Sequence, residues 1–439
     1  MNGLYVGILS AFLILPALRA AEGNAPPQYN GPGACSSPAC HGSVEPREPL
    51  SGDKNPVLQN EYTTWVTRDK HAHAYTNLTN MVGTRIAKIM ELPSPDKAPR
   101  CLACHALDLP EDQRARTFDV SDGVGCENCH GPASAWLGPH TQTGWDYQQS
   151  LQLGMYNTRD LVKRSEKCLT CHLGTPDKTV DHELIAAGHP DLYFELNSFM
   201  AVMPAHWKEK EAEMDPWFGV RVMAVGQAVQ LREQLRRVAR ESQNGIWPEY
   251  AELDCFACHH NLVAAKDSWR QERGYPDRRP GNAPFNLSRY VVLRHVVQDS
   301  DPGAMTDLKA GVDRVYTDVT RLNSNRLEVS SEASAAAELA DRLAPRLNSM
   351  KFDQAQTMRL LKSISGDADD ISQQGERPAE QATMALDALY FAYTKNDKLA
   401  NDGQIREAIK ALFRQLDDPS AYDGFKFAMA MKSLNALFP

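Results

Sequence analysis

Five times in this chain a pair of cysteines runs directly into a histidine. The runs are Cys35-x4-Cys40-His41, Cys101-x2-Cys104-His105, Cys126-x2-Cys129-His130, Cys168-x2-Cys171-His172 and Cys255-x2-Cys258-His259. C-x-x-C-H is the attachment signature of c-type haem. The two thiols add across the vinyl groups of the haem, and the histidine becomes the proximal iron ligand. The two-residue gap suits vinyl spacing on one face of a short helical turn. In the first run the gap is Ser36-Ser37-Pro38-Ala39, so that loop must bulge outward. All ten cysteines of the chain lie in these runs. A zinc ribbon uses cysteine pairs in twos and has no need of a histidine after every second thiol. A redox C-x-x-C explains one copy, not five, and a disulfide framework predicts varied spacings without linked histidines. The cofactor expected is therefore five covalently bound haem c groups.

What fills the second axial position of each iron decides between carrier and catalyst. Eight histidines remain outside the runs: His71, His73, His140, His182, His189, His206, His260 and His295. Five would close every haem. His260 directly follows the proximal His259 and points to another side, towards a neighbouring haem. His140 follows the third run closely, through Trp136. His182 and His189 are seven residues apart, two helical turns, which would put both on one face of a helix. His71 and His73 compete as residues on opposite sides of a short segment. His206 and His295 carry the weakest signal, and His295, in the apolar stretch Tyr290 to Val297, reads more simply as a core histidine. Met200 and Met203 are remote alternatives.

Those ligands need elements to hold them. All thirteen histidines and ten cysteines precede residue 296. This composition boundary separates a haem-bearing region, 21–300, from a haem-free extension, 301–439. A Pro, Gly and Arg-rich stretch from Trp269 to Pro284 lies just before it and reads as a strap. Beyond it the apolar residues repeat at helical spacing: Leu339, Leu343 and Leu347; Leu386, Leu389 and Tyr393; Ile405, Ile409, Leu412, Phe413 and Leu416. Asp417-Asp418-Pro419 punctuates the chain before a last helix through Phe425, Met429 and Leu434. Stripes of this kind are core, and paired helices are their natural product. No strand signal competes. The expected fold is mainly α, with irregular loops wrapping the haems and a C-terminal haem-free helical region.

The net charge of −9 gives no basic footprint for nucleic acid. Residues 4–18 form an apolar h-region followed by small residues, too short for a comfortable membrane span. Residues 1–20 are thus expected to be a signal peptide, cleaved after Ala20, on an exported, periplasmic protein. No Lys or Arg precedes the apolar stretch, so membrane association through an uncleaved segment stays open.

The run Trp65-x5-His71-Ala72-His73-Ala74-Tyr75, then Cys101-Leu102-Ala103-Cys104-His105, then Gly123-Val124-Gly125-Cys126-Glu127-Asn128-Cys129-His130-Gly131-Pro132, resembles the multihaem cytochrome c family that includes tetrahaem cytochrome c-554. The resemblance begins at the first haem motif and ends near His172. It implies His71 rather than His73 as the ligand, and haems packed in close parallel and perpendicular pairs, as in hydroxylamine oxidoreductase and pentahaem nitrite reductase. The fifth motif and the haem-free helices depart from the pattern, and no C-x-x-C-K marks a catalytic haem of the nitrite reductase kind. The expected function is electron transfer through mostly bis-histidine haems to redox partner proteins. The alternative is an oxidoreductase acting on a small nitrogen or sulfur compound at one open haem.

Overall fold

The computed structural model describes residues 26–47, 57–259 and 282–439. The apolar segment 4–18, His260 and the strap up to residue 281 lie outside them. The described residues are mainly α-helical, with three isolated β-bridges and no longer strand.

Up to residue 160 the helices are short, and prolines, glycines and polar caps set their ends. Pro99 opens the helix Pro99–His105 that carries the second motif. Its fixed φ and missing N–H cost nothing at that position. Asn128 accepts from the Gly125 N–H at the start of Cys126–His130, which carries the third motif. Asp160 caps Leu161–His172, accepting from the Lys163 N–H at 2.9 Å, and the fourth motif forms the last turn of that helix. Each of these three runs thus ends a helix, with its histidine at the exit.

The main core forms around one helix, Phe218–Asn244. Val220, Val222, Met223, Val225, Val229 and Leu235 on it are fully buried, on several sides of the helix, the signature of a helix covered all round. The helix Arg326–Ser349 lies along it, and its buried side is rich in alanine: Ala333, Ala336, Ala340 and Ala344. Small side chains let the two backbones approach closely. Helices Pro302–Thr320, Gln354–Gly366, Glu376–Asn396, Asp402–Arg414 and Gly424–Asn435 complete the layer.

This core is continuous from Leu161, in the helix of the fourth motif, to Phe438. Cysteine and histidine stop near residue 300, but the apolar packing runs across that boundary. Arg232, nearly buried, stitches the two sides together: its guanidinium bonds Glu166 beside the fourth motif and Asp341 in the C-terminal helices, each at 2.7 Å.

The expected stripes are core where the sequence reads them, with one difference in register. In Gly424–Asn435 the buried residues are Phe427, Ala428, Met431 and Leu434, while Phe425 and Met429 are 77% and 52% exposed. Both faces of this helix are apolar, so periodicity alone does not choose between them.

Two half-buried carboxylates on Glu376–Asn396 give the fold a pH signature. Burial pushes Glu376 up to about 7 and Glu380 up to about 8, from an ordinary 4.5. A carboxyl held above its unfolded value adds stability that is full below about 4.5 and is lost as pH rises through about 7 and about 8. The melting temperature should therefore fall between pH 5 and pH 8.5, and the double variant Glu376→Gln, Glu380→Gln should flatten that fall in a calorimetric pH series.

Candidate functional site

The motif histidines do not stand alone. The rings of His41 and His140 lie 6.1 Å apart between centroids, with planes within 6° of parallel. His71 faces His172 at 6.2 Å and 89°. His105 faces His189 at 6.3 Å and 86°, and His182 faces His259 at 6.1 Å and 32°. In each pair one member ends a cysteine motif and the other comes from outside the motifs. A metal held between two imidazole nitrogens, each about 2 Å from it, sets the ring centroids about 6 Å apart. A plain aromatic contact has no reason to repeat this spacing four times. Each of the four pairs would be able to hold an iron between its two imidazoles.

The outer hydrogen bonds fit as well. His41 Nδ1 donates to Glu61 at 2.9 Å, and His71 Nδ1 to Asp69 at 2.9 Å. His105 Nδ1 donates to the Ala74 carbonyl, His140 Nδ1 to the Leu137 carbonyl, and His189 Nδ1 to the Pro190 carbonyl. A histidine whose Nδ1–H is engaged presents Nε2 as the free lone pair, and the partner fixes the plane of the ring. Burial holds His172 down to about 4, and likewise His130, so both rings stay neutral, the form that binds a metal. Phe194 and Phe199 pack on His172 at 5.2 and 5.1 Å and fix it further.

His130 has no facing ring of this kind among the described residues. Of the ionisable groups around it, half-buried His206 acts on it most strongly. The Nδ1 atoms of both rings are buried without a partner, and so is Oδ2 of Asp69. His206 and Asp69 act on each other electrostatically. His206 had only a weak signal in the sequence, because it lies far from every motif and only the fold brings it to the third. His295 is a core histidine: its Nε2 bonds Asp367 at 2.9 Å. Met200 takes a long contact from Arg164 instead, at 3.5 Å.

The thiols also meet across motifs. Cys35 of the first motif and Cys126 of the third perturb each other's thiols. Cys104 of the second and Cys171 of the fourth do the same. Cys129 sits in the field of Cys171, which links the third motif to the fourth.

Two features explain residues around the motifs. The four-residue loop of the first closes with Cys40 N–H to Ser37 at 2.8 Å and Gly42 N–H to Ser37 at 3.0 Å. A Cβ on Gly42 would lie 1.9 Å from the Ser36 carbonyl oxygen, so only glycine permits that return. Buried Glu127, inside the third motif, accepts from the N–H groups of Asn30, Gly31 and Ala133 at 2.7–2.8 Å. It fastens the approach to the first motif onto the third. Glu127→Ala would orphan three donors, each costing about 1–3 kcal/mol. The melting temperature should fall sharply, with Glu127→Gln recovering part of the loss, since one amide oxygen still accepts.

A family model described as "Cytochrome c554 and c-prime" matches residues 38–131. Over this segment the chain is similar to that family. Cytochrome c-554 of Nitrosomonas europaea is 34% identical over 92 residues, 18% of this chain and 37% of that protein. The chain thus spans little more than a third of the curated relative it matches. No solved structure matches it. The cytochrome c-554-like segment ends one residue past His130, so the fourth and fifth motifs and the C-terminal helices lie beyond it. Among the described residues no helix is long and apolar enough to cross a membrane.

Proposed function

We propose that this protein is a periplasmic pentahaem c-type cytochrome that passes electrons along five haems, each closed by two histidines. The observation that carries this reading is the set of four imidazole pairs at 6.1–6.3 Å. His140 serves the first haem, His189 the second, His71 the fourth and His182 the fifth. His206 serves the third, in the field of Asp69.

When bound, the haems supply the one-electron chemistry. The chain's own residues hold the planes, exclude exogenous ligands from the iron, and tune potentials through Glu61, Asp69 and the carbonyls behind the rings. The thiol contacts support an order in which the first haem neighbours the third, the third the fourth, and the fourth the second. His182 and His189, on one short segment, bring the fifth next to the second. Such a row accepts an electron at one end and releases it at the other, to donor and acceptor proteins.

The second reading, an oxidoreductase acting at one open iron, has a single observation in its favour: the third motif's His130 lacks a facing ring at ligand spacing among the described residues. Intact-protein mass and a pyridine haemochrome count on periplasmic protein test the proposal. The mass should equal the chain after Ala20 plus five haems. A four-haem product would mean that the Cys35-x4-Cys40 loop is not used.

A further inference from the structure

We propose that Arg377, in the haem-free C-terminal helices, is a positioning residue for two haem sites, those of the second and fifth motifs. The proposal rests on the bis-histidine reading of those two sites. Arg377 stands in the first turn of Glu376–Asn396, and only 11% of its side chain is exposed. Its Nε pairs with Asp191, two residues beyond His189, the partner of His105. Its Nη1 donates to the Ala251 carbonyl at 2.7 Å and makes a longer contact with the Leu253 carbonyl at 3.5 Å. Leu253 lies two residues before Cys255, where the fifth motif opens. One guanidinium therefore joins the segment carrying a ligand of the second haem to the segment leading into the fifth.

A neighbouring contact reinforces the first segment from the same side. Arg289 is buried and donates to the Leu192 carbonyl at 2.6 Å and to Gln230 and Gln381 at 2.9 and 3.2 Å. The stretch 189–194 is thus fastened from behind by two arginines outside the motifs, one on each side of residue 300. Arginine suits this task because its planar fork can serve a carboxylate and carbonyls together, whereas lysine offers a single point charge. Without the fork, Asp191 and the two carbonyls lose a shared donor, and the ring of His189 loses its fixed backing.

The test uses the full-length protein loaded with haem, and carbon monoxide as the probe of an open ferrous iron. Arg377→Gln should keep five haems by mass, yet the dithionite-reduced protein should take up carbon monoxide about tenfold more readily than wild type, the scale on which outer-shell partners act. Arg377→Lys should restore part of the closure. His189→Gly and His182→Gly supply reference spectra for the second and fifth haems with an open site. If those two variants bind no carbon monoxide, the ligand reading itself fails at these sites, whatever Arg377 does. If they bind it, while Arg377→Gln keeps wild-type carbon monoxide uptake and potentials and only melts earlier, Arg377 is structural and the proposal is overturned. Should Arg377→Gln not fold, Asp191→Asn decides: opening of the second haem alone supports the proposal, and an unchanged spectrum overturns it.

Discussion

Ending the chain at Asp301 should yield an insoluble protein, not a smaller cytochrome. The cut removes no cysteine and no histidine, so every haem motif survives. It does remove the partners of the central helix. The helix Arg326–Ser349 packs along Phe218–Asn244, and Glu376–Asn396 packs on it and on Ser288–Val291. Val222, Val225 and Val229, with Val291, Leu293, Val296 and Val297, are all buried in the full chain, in the core that the cut divides. Returning a side chain of this size to water costs about 1.5–3 kcal/mol. A handful of them matches the whole stability of a domain, about 5–15 kcal/mol. The Arg232 bridge would also lose Asp341 and keep only Glu166 and Glu233. The exposed apolar face would then drive association. The soluble fraction and the haem count per chain, measured beside the full-length protein, check this. A soluble, monomeric product with a full haem complement would show that the continuous core is not needed.

His71→Gly should open one haem completely. His71 faces His172 at 6.2 Å, and Asp69 holds its Nδ1–H from behind. Glycine removes the ring and leaves the iron of the fourth haem with His172 alone. Phe194 and Phe199 keep that proximal ring in place, so the haem should stay bound and become high-spin in the ferric state. The reduced variant should bind one equivalent of carbon monoxide, and one potential in a spectroelectrochemical titration should move while the others shift little. His73→Gly, two residues away, should leave the spectra unchanged. The reverse outcome, a silent His71→Gly and an altered His73→Gly, would exchange the roles of the two residues.

Much of this site is legible in the chain because haem attachment is local chemistry. Two thiols and a histidine within five or seven residues declare themselves at any point in a sequence, and the ten cysteines leave none for another purpose. His140 is close to the third motif in sequence, yet its partner is His41 of the first. Which ligand meets which haem is a tertiary fact that spacing does not hold. His182 and His189 show the same limit. Two helical turns would set them on one face, but the helix His182–Ala186 ends early, with Gly188 at φ 109°, and the two rings turn to different motifs. His206 is silent in the sequence because its candidate partners, His130 and Asp69, lie 76 and 137 residues before it. The mainly α fold follows from apolar spacing, and the stripes at Leu343 and Leu347, at Leu386 and Leu389, and at Ile405 and Ile409 are buried as that spacing requires. The continuity of the core across residue 300 was hidden, because composition reports where ligands stop and says nothing of where packing stops.

The central claim is that every iron carries two histidines. Quantitative EPR of the fully oxidised full-length protein tests it most directly. The account predicts low-spin ferric signals that integrate, together with any spin-coupled pairs resolved by Mössbauer spectroscopy, to five haems, with no high-spin species. A high-spin ferric signal amounting to one haem per chain would contradict it. If Ala substitution of His206 left that signal unchanged, the third haem would be the open site and the protein would have to be read as a catalyst.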